Sequence, residues 1–587
     1  MLASFQTLTY NNVPEHVDPT WLPVIQGELP SWLSGTMYRV GGGRFVLGDG
    51  QHKKGKKTSG APYIIRHAFD GLPYLYRFEF NAQKNSVRFN SRYIAKDYEK
   101  NLLERHGRGA MWFGESRKMS TWERLKDFAS RFDQLVLCRN EATPSSVSVG
   151  IATAPNFPLP ASWHSSNCGD KPALVTKSDH NALQQLDHTT LEPQKIFTYR
   201  DYDKRLDGQL AAAHHHYDYA SQETINMTMS VGSTKPTLQI FSINSKGHTS
   251  ILASIQHGLD ADKTPVRPFY YHSFFTTENY VVVPMCPMYY KNNGVDLLLN
   301  GSVLGGVEWE PDTPTYFHIV DRHHGKGHVA TLVGPSYFAF HVINARDYQD
   351  KENGSIRFEL DCSAYDGKMI YETHAFGDII RTSDYHSRYL PNKMAPTQKH
   401  NGIDYPALHC NRFGDYRRYH LTWNPSSSVS PTAHYETILA NFDFPRIQSA
   451  YTSKAHRYAY GCQILAPTPD RGEQYCLVKI DLNTKKWIRF QHQDEYQNGY
   501  LCSEPIFVAR PRQEEQEQEP QNEDDGVVLS LVNVFDNRGT SYDHCYLLVL
   551  DAASFTQMAY VPIGSFIAPT FHGSYDAEYS FKLGSFN

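Results

Sequence analysis

The sequence lacks the signals that would send it out of the cell or into a membrane. The N-terminal stretch MLASFQTLTYNNVPEHVD has no basic region and no apolar core, so it is unlike a secretory signal. No run approaches the roughly 18 apolar residues that span a bilayer. We therefore expect a cytoplasmic protein that is not secreted, whose sequons at Asn226, Asn300 and Asn353 stay unmodified.

Cysteine pairs and an excess of basic residues are missing as well. The nine cysteines are odd in number and have no CxxC spacing, which argues against a disulfide scaffold or a zinc ribbon and favours reduced thiols. The net charge of −5 provides no basic surface of the kind that binds nucleic acid. The composition thus predicts a protein without a nucleic-acid partner.

Helical periodicity is scarce, and short apolar runs rich in β-branched and aromatic residues take its place. They are bounded by Gly, Pro, Asn, Asp or Ser, as strands are. The runs are YIIRHAF (63–69), YLYRFEF (74–80), TLQIFSI (237–243), NYVVVPM (279–285), HVATLVG (328–334), QYCLVKIDL (474–482), GVVLSLVNVF (526–535) and HCYLLVLD (544–551). This pattern predicts an all-β sandwich, barrel or propeller in one domain over residues 1–587, and no self-similar repeat selects among the three.

Residues 109–133 are a candidate membrane contact, and the part of this segment that follows Ser120 is predicted to be helical. Ser120 and Glu123 have the spacing of a capping box, after which apolar residues recur on one helix face. An apolar patch beside basic residues suits a membrane interface, although the same face could pack on the protein's own core. The candidate contact residues are Met111, Trp112, Phe113, Trp122, Leu125 and Phe128.

The stretch PRQEEQEQEPQNEDDG (511–526) is acidic and of low complexity. It separates the strand-like runs PIFVAR and VVLSLV, which are similar in character. We therefore interpret residues 511–526 as a disordered loop between two strands rather than as a domain boundary.

Four of the 28 histidines lie in apolar or aromatic settings beside turn residues. A neutral imidazole is a good ligand for divalent iron, zinc or copper, but a single histidine in such a setting is more often a core residue. Their spacing is wide and includes no HExxH motif. The four are His214 (AAAHHHYD), His272 (PFYYHSFF), His341 (FAFHVINA) and His572 (APTFHGSY). The residues alone therefore indicate no more than a dispersed histidine site on a β protein.

At these positions, and nearly from end to end, the chain resembles the carotenoid cleavage oxygenase family. The resemblance begins at GELPSWLSGTMYRVGGGRF (27–45) and RHAFDGLPYLYRFEF (66–80). It continues through AHHHYDY, YYHSFFTTENYVVVP, FHVINARD, FDFPRI, YAYG, SEPIFVARP, DDGVVLSLV and PTFHGSY. The wording is closest to fungal members, including those that cut β-carotene or its apocarotenals toward trisporoid signals.

The resemblance implies a fold and a metal site. The family fold is a seven-bladed β-propeller whose helical cap roofs an apolar tunnel, with Fe²⁺ on the propeller axis. The ligand of the A-H-x-H motif is its first histidine, which implies His214 and neither His215 nor His216. The remaining ligands would be His272, His341 and His572.

The family's ligands donate hydrogen bonds to carboxylates, and three candidates match. Glu504 would orient His572, and Asp179 would orient His272 unless it is a turn residue. Asp443 stands where the family has Glu. Because Asp is one methylene shorter, a hydrogen bond to His341 would need a shifted backbone or a bridging water.

The implied activity is cleavage of a carotenoid or apocarotenoid double bond by O₂ to give two aldehydes. The polyene would come from a membrane or a lipid droplet, which makes peripheral membrane contact relevant. Alternatives are a stilbenoid-cleaving dioxygenase, a retinoid isomerohydrolase and a non-catalytic propeller that binds an apolar ligand. Stilbene-cleaving relatives have Lys directly before the carboxylate, whereas Ser178 stands here and Lys177 would face the other way on a strand.

Overall fold

The computed structural model describes most of the chain. The described residues are 12–48, 63–65, 67–114, 120–136, 143–163, 173–366, 398–400, 403–405, 413–427, 432–465, 474–490, 492, 499–511, 522–535 and 543–577.

Strands dominate the described chain, in agreement with the expected all-β class. The first third contains β1 (His16–Pro23), β2 (Gln26–Gly27), β3 (Ser34–Arg44), β4 (Val46–Leu47), β5 (Tyr63–Ile64), β6 (Leu72–Asn81), β7 (Ser86–Tyr93), α1 (Lys96–Glu104), α2 (Thr121–Val136), β8 (Ala152–Phe157), β9 (Ala173–Lys177), β10 (Leu183–Leu186) and β11 (Pro193–Phe197). The middle contains β12 (Leu210–Ala211), β13 (His216–Asp218), β14 (Glu223–Met229), β15 (Leu238–Asn244), β16 (Thr249–Ile255), β17 (Phe275–Thr276), β18 (Tyr280–Met285), β19 (Met288–Tyr290), α3 (Val295–Asn300), α4 (Val303–Gly306), β20 (Val307–Trp309), β21 (Thr315–Asp321), β22 (His328–Gly334), β23 (Phe338–Gln349) and β24 (Ile356–Tyr365). The last part contains β25 (Gln398–His400), β26 (Ile403–Tyr405), β27 (Asp415–Trp423), β28 (His434–Leu439), β29 (Asp443–Arg446), β30 (Tyr458–Leu465), β31 (Gln474–Asp481), β32 (Lys486–Phe490), β33 (Gly499–Cys502), β34 (Ile506–Ala509), β35 (Gly526–Phe535), β36 (His544–Asp551), β37 (Gln557–Gly564) and β38 (His572–Asp576).

The strands form a series of sheets in which neighbours in sequence are mostly neighbours in space. Four sheets have the orders β11-β10-β9-β8, β12-β14-β15-β16 (with β13 also on β14), β17-β18-β21-β22 and β23-β24-β27-β28. A larger sheet has the order β2-β37-β36-β35-β33-β31-β30-β29, with β32 on β31 and β34 on β35. Three two-stranded sheets pair β4 with β5, β19 with β20 and β25 with β26. Antiparallel meanders of this kind bury side chains between successive sheets.

One sheet joins the two ends of the described chain. Its order is β1-β7-β6-β3-β38, so the last described strand pairs antiparallel with β3. This pairing sets His572 opposite Val40, which is fully buried. The position of His572 therefore depends on contact between the N-terminal and C-terminal parts of the chain.

Most strands predicted from apolar runs are confirmed, and the reason is clearest for β35 and β36. Every residue of β35 is buried, which explains why GVVLSLVNVF is mostly apolar, with Ser530 and Asn533 as its polar side chains, rather than alternating. The prediction for YIIRHAF (63–69) is wrong beyond Ile64, because Ala68–Asp70 form a single 3₁₀ turn. His67 caps that turn by accepting a hydrogen bond from the Phe69 N–H at 3.2 Å.

The predicted capping box and helix are confirmed, but the buried face is polar. The Ser120 N–H donates to the Glu123 carboxylate at 2.8 Å, and α2 begins at the next residue. Asp127 and Arg131 are buried and paired at 2.8 Å. Arg131 also donates to the carbonyl of Leu298 at the C-terminal end of α3 at 2.7 Å. Arg131 also donates to the carbonyl of Ala110 at 3.0 Å, and Asp127 accepts from the Gly109 N–H at 3.3 Å, so this polar pair links α2 to neighbouring segments.

The prediction of a disordered loop over 511–526 is wrong for its last residues, and 512–521 lie outside the described residues. The Glu523 carboxylate accepts hydrogen bonds from the backbone N–H groups of Arg457 and Tyr458 at 2.8 and 2.7 Å. Asp524 accepts one from Lys479 at 2.7 Å. These contacts order the residues immediately before β35.

Two further expectations concern cysteines and membrane spans. The six described cysteines are all buried and free, as expected for reduced thiols. None of the described helices combines the length and the apolar character that crossing a bilayer requires.

Candidate metal centre

Four histidines from different parts of the fold converge on one point. His214 lies between β12 and β13, and His272 lies just before β17. His341 is in β23, and His572 is the first residue of β38. His272, His341 and His572 are buried, and His214 is partly buried. The ligating atoms of all four lie within 4.8 Å of one another, and no other group of three or more potential ligands occurs among the described residues.

The distances between ring nitrogens suit a common metal ion. The Nε2 atom of His214 lies 3.1 Å from that of His272 and 3.2 Å from that of His572. The Nε2 atoms of His341 and His572 are 3.1 Å apart. Two imidazole nitrogens about 2.1 Å from one metal and at right angles would be about 3.0 Å apart. The four rings are therefore spaced as adjacent ligands of a single ion would be.

The orientation of these rings suits a cation between them. Three of the four have Nδ1 within hydrogen-bond distance of a carboxylate, so the ring proton lies on Nδ1 and a lone pair remains on Nε2. Burial holds the pKa of His214 well below its usual range and lowers that of His572 to about 4, although Glu504 opposes the shift at His572. Lone pairs of neutral rings that face one another repel unless a positive ion lies between them. The residues present therefore fit a divalent metal bound by four neutral imidazoles.

Each predicted carboxylate reaches its predicted histidine directly. Asp179 lies 2.8 Å from Nδ1 of His272, and Glu504 lies 3.0 Å from Nδ1 of His572. Burial raises the pKa of Glu504, but Arg446, His572 and Arg39 outweigh it and hold the pKa well below its usual range. Glu504 thus accepts from His572 as a carboxylate.

Asp443 contacts His341 directly, although its side chain is shorter than that of Glu. Its Oδ1 atom lies 2.7 Å from Nδ1 of His341, so no bridging water is needed. The backbone adapts instead. Phe444, the next residue, has a left-handed φ of 53°, and the pairing of β29 with β30 is irregular between Asp443 and Arg446. This distortion brings the shorter carboxylate to the ring.

The sequence did not reveal the side chains that hold the three carboxylates. The Tyr270 hydroxyl donates to Asp179 at 2.7 Å, and the Tyr365 hydroxyl donates to Asp443. Arg446 donates to Glu504 at 3.0 Å. Tyr270 lies in the motif YYHSF, two residues before His272, and Arg446 lies in the motif FDFPRI, three residues after Asp443. Their nearness in sequence to these site residues could have indicated that they support the site. Tyr365 lies in no quoted motif, and only the fold brings it to the site.

The neighbours of His214 and Asp179 have partners outside the four-histidine cluster. Nδ1 of His215 contacts the amine of Lys177, a buried residue, and the ring packs against Phe157. Burial and the charge of Arg446 hold the pKa of Lys177 well below its usual range. The Ser178 hydroxyl lies 2.9 Å from Nδ1 of His180. His216 begins β13, and burial lowers its pKa to about 4.

The predicted membrane-contact residues fall into two groups. The prediction is wrong for Trp112, which is 7% exposed and stacks on Tyr63. Met111 and Phe113 are partly buried and pack against the core, because hydrogen bonds such as the one from the Phe113 N–H to the Asp70 carboxylate at 2.5 Å hold this stretch inward. On α2, Trp122 is 67% and Leu125 53% exposed, whereas Phe128 is partly buried.

Comparisons with known proteins relate the chain to characterised enzymes and solved structures. The chain is 25% identical to a torulene dioxygenase of Gibberella fujikuroi over 96% of this chain and 92% of that protein. It is 25% identical to a carotenoid dioxygenase of Neurospora crassa over 98% of this chain and 90% of that protein. A solved structure of a Synechocystis apocarotenoid oxygenase mutant superposes with a TM-score of 0.62 at 18% identity, with 97% of each chain covered, and it shares the fold.

The model of a protein family, described as retinal pigment epithelial membrane protein, matches residues 10–577. That match spans nearly the whole chain and includes all four converging histidines. The chain therefore belongs to the retinal pigment epithelial membrane protein family, which is the carotenoid oxygenase family.

Proposed function

We propose that this protein is a non-haem iron(II) dioxygenase that cleaves one carbon–carbon double bond of a carotenoid or apocarotenoid. One O₂ and one double bond give two aldehydes, so each new carbonyl takes one oxygen atom. The observation that carries this proposal is the convergence of four imidazoles whose ligating atoms lie within 4.8 Å of one another. The curated relatives named as torulene and carotenoid dioxygenases support the substrate class.

His214, His272, His341 and His572 would hold the metal, and Asp179, Asp443 and Glu504 would orient three of them. Four neutral ligands leave a divalent ion its full charge. Bound there, iron(II) would supply Lewis acidity and open positions for O₂. The ligand set alone would also suit copper or zinc, so the choice of iron rests on the family.

Aromatic side chains beside the histidines provide an apolar surface for a polyene. The ring of Phe340 lies 5.6 Å from that of His272, and the ring of Phe444 lies 5.3 Å from that of His341. Phe69 contacts Phe340 at 6.2 Å and yet remains 41% exposed. A partly exposed ring among other aromatic rings is the surface that an apolar tunnel would present. Such a tunnel would act by holding one double bond close to the metal centre.

We also propose that the fold is a seven-bladed propeller. Five sheets of four or five strands would each be one blade, and the largest sheet would supply two. Its halves meet at a short parallel contact of β31 with β33, whereas all other strand pairs described are antiparallel. The pairing of β38 with β3 would then close the ring, with the helices α2, α3 and α4 belonging to the cap.

A phenolic substrate has less support. The residue before Asp179 is Ser178, whose hydroxyl lies 2.9 Å from His180. Lys177 contacts His215 instead and is buried. Neither side chain offers a free amine to a phenol at the metal centre.

The decisive test is product analysis under ¹⁸O₂. Purified, iron-loaded protein would be incubated with C40 carotenes and apocarotenals, and the aldehydes reduced in situ to alcohols to prevent exchange with water. We expect products of defined chain length, with one ¹⁸O atom at each cleaved end. Aldehydes that carry no ¹⁸O would contradict dioxygenase chemistry, and intact substrates throughout would contradict the proposal as well.

We propose that the exposed apolar face of α2 contacts the bilayer that supplies the polyene. Trp122 and Leu125 lie on this face, and Lys126 and Arg124 are exposed beside them. The buried Asp127–Arg131 pair fixes the opposite side of the helix, so the apolar side is held outward. Basic residues around an apolar patch suit an anionic lipid surface.

Charge substitution on this face should weaken membrane binding. For the double variant Trp122→Glu/Leu125→Glu we expect at least a roughly tenfold loss of sedimentation with phosphatidylcholine–phosphatidylserine vesicles, because burying each apolar side chain contributes about 1.5–3 kcal/mol. Trp487→Glu is the matched control, since Trp487 is 46% exposed on β32. Equal binding by the double variant and the control would contradict membrane contact through α2.

A further inference from the structure

The short strand β29 serves two of the four histidines. Asp443, its first residue, accepts the hydrogen bond of His341 at 2.7 Å. Arg446, its last residue, donates to Oε2 of Glu504 at 3.0 Å and to the carbonyl of Gly573 at 2.8 Å. Glu504 in turn accepts from His572. One four-residue strand thus supports two ligand arms, where an arm is a histidine together with the carboxylate that accepts its hydrogen bond.

The backbone of β29 is distorted in the way that this double role requires. In a regular strand, residues three apart face opposite sides, so Asp443 and Arg446 could not both reach the metal centre. The left-handed Phe444, with φ of 53°, breaks this alternation. A non-glycine residue in this region is strained and persists only where its surroundings enforce it. The Phe444 ring packs against His341 at 5.3 Å and His572 at 5.7 Å.

The three carboxylates differ in the charge of the group that holds them. Asp179 and Asp443 each accept from a neutral tyrosine hydroxyl, of Tyr270 and Tyr365. Glu504 accepts from a guanidinium, and its Oε2 atom also accepts from the Gly573 N–H at 2.9 Å. Its arm is therefore the only one of the three described carboxylate arms with a cation in contact with the carboxylate.

We propose that Arg446 is a positioning residue that fixes Glu504 against His572 and makes His572 the least electron-donating of the three carboxylate-supported ligands. This inference rests on the proposed metal function of the four histidines. A cation on Oε2 attracts the carboxylate charge and so weakens the hydrogen bond that the carboxylate accepts from the Nδ1–H of His572. An imidazole with a weaker hydrogen bond at Nδ1 donates less electron density from Nε2 to the metal. The centre is thus electronically unequal although its ligands are chemically identical.

Three substitutions separate charge from contact. Arg446→Lys keeps the charge, Arg446→Gln keeps only a donor, and Arg446→Met keeps neither. With iron bound, we expect the Fe³⁺/Fe²⁺ potential to fall in the Gln and Met variants and to stay at the wild-type value in the Lys variant. We expect Arg446→Met to bind Co²⁺ roughly tenfold more weakly than the wild type, the smallest effect usual for losing a group that supports a metal ligand. The affinity of Arg446→Lys should be within threefold of the wild-type value.

Two controls make the result specific. Tyr365→Phe removes a neutral donor from the His341 arm and should lower the potential less than Arg446→Gln. Arg357→Gln removes a guanidinium whose partner, Asp350, is remote from the four histidines, and should change neither quantity. An unchanged potential in the Gln and Met variants, or no rescue by Lys, would overturn the role of Arg446. Wild-type protein that binds neither Co²⁺ nor Fe²⁺ would instead overturn the metal centre itself.

Discussion

Replacing His341 with alanine is expected to abolish both metal binding and polyene cleavage. His341 is buried, and its Nε2 atom lies 3.1 Å from that of His572. Removing the His341 ring therefore takes away one of the four nitrogen ligands of the metal. The substitution also removes one of the donors of the buried Asp443 carboxylate, which keeps the Tyr365 hydroxyl. Losing an outer partner of a ligand costs roughly 10–100-fold in affinity, and loss of the ligand itself should exceed that. The measurements are iron content after reconstitution and aldehyde formation.

The matched control for His341→Ala is His323→Ala. His323 is an exposed histidine whose ring contacts the carbonyl of Glu278 at 2.8 Å and the ring of His324, both away from the four converging histidines. Its removal should leave iron content and cleavage unchanged. If His341→Ala kept wild-type iron content while His323→Ala lost it, the assignment of the metal site would be wrong. Thermal unfolding of both apo proteins checks that neither effect reflects misfolding.

The metal site shows how far the residues alone can lead. His214 and His572 lie 3.2 Å apart in space but at distant points in the chain, so no local spacing predicts their contact. The position of His572 depends on the pairing of β38 with β3, a long-range contact that a periodicity argument does not include. The ligand set was therefore named by resemblance to a family and not by chemistry. Strand content, in contrast, was readable directly, because apolar runs such as that of β35 are local.

Helix α2 shows a second limit of sequence patterns. The capping box at Ser120 and the apolar periodicity predicted its start, but not which side is buried. Burying Asp127 and Arg131 is favourable here only because they pair with each other and Arg131 donates to the end of α3. The carbonyls of Leu298 and Leu299 that Arg131 binds are about 170 residues away in the chain, and a helical pattern contains no information about them.

Asp443 combines both limits. The side chain of Asp443 is one methylene shorter than that of Glu, so the sequence predicts that its hydrogen bond to His341 needs either a shifted backbone or a bridging water. The solution that the protein uses, a left-handed residue at Phe444, depends on tertiary packing around β29 and has no sequence signal such as Gly or Asn. The direct 2.7 Å contact with His341 implies that the site is fitted to the shorter acid.

Substitution of Asp443 should therefore weaken the metal centre even when the family's usual residue is introduced. For Asp443→Ala we expect roughly 10–100-fold weaker Co²⁺ affinity, because His341 loses its acceptor and the buried Tyr365 hydroxyl loses its partner. For Asp443→Glu we expect destabilisation by about 1–3 kcal/mol together with weaker affinity, because an added methylene overpacks a buried position already in direct contact.

Co²⁺ titration and thermal unfolding of the apo protein measure the two effects separately. Asp350→Ala is the control, since Asp350 is paired with Arg357 away from the four histidines and should leave Co²⁺ affinity unchanged. If Asp443→Glu instead matched wild-type affinity and stability, the left-handed Phe444 could not be an adaptation to the shorter acid. Both carboxylates would then reach His341 equally well, and the distortion of β29 would have to be explained by Arg446 alone.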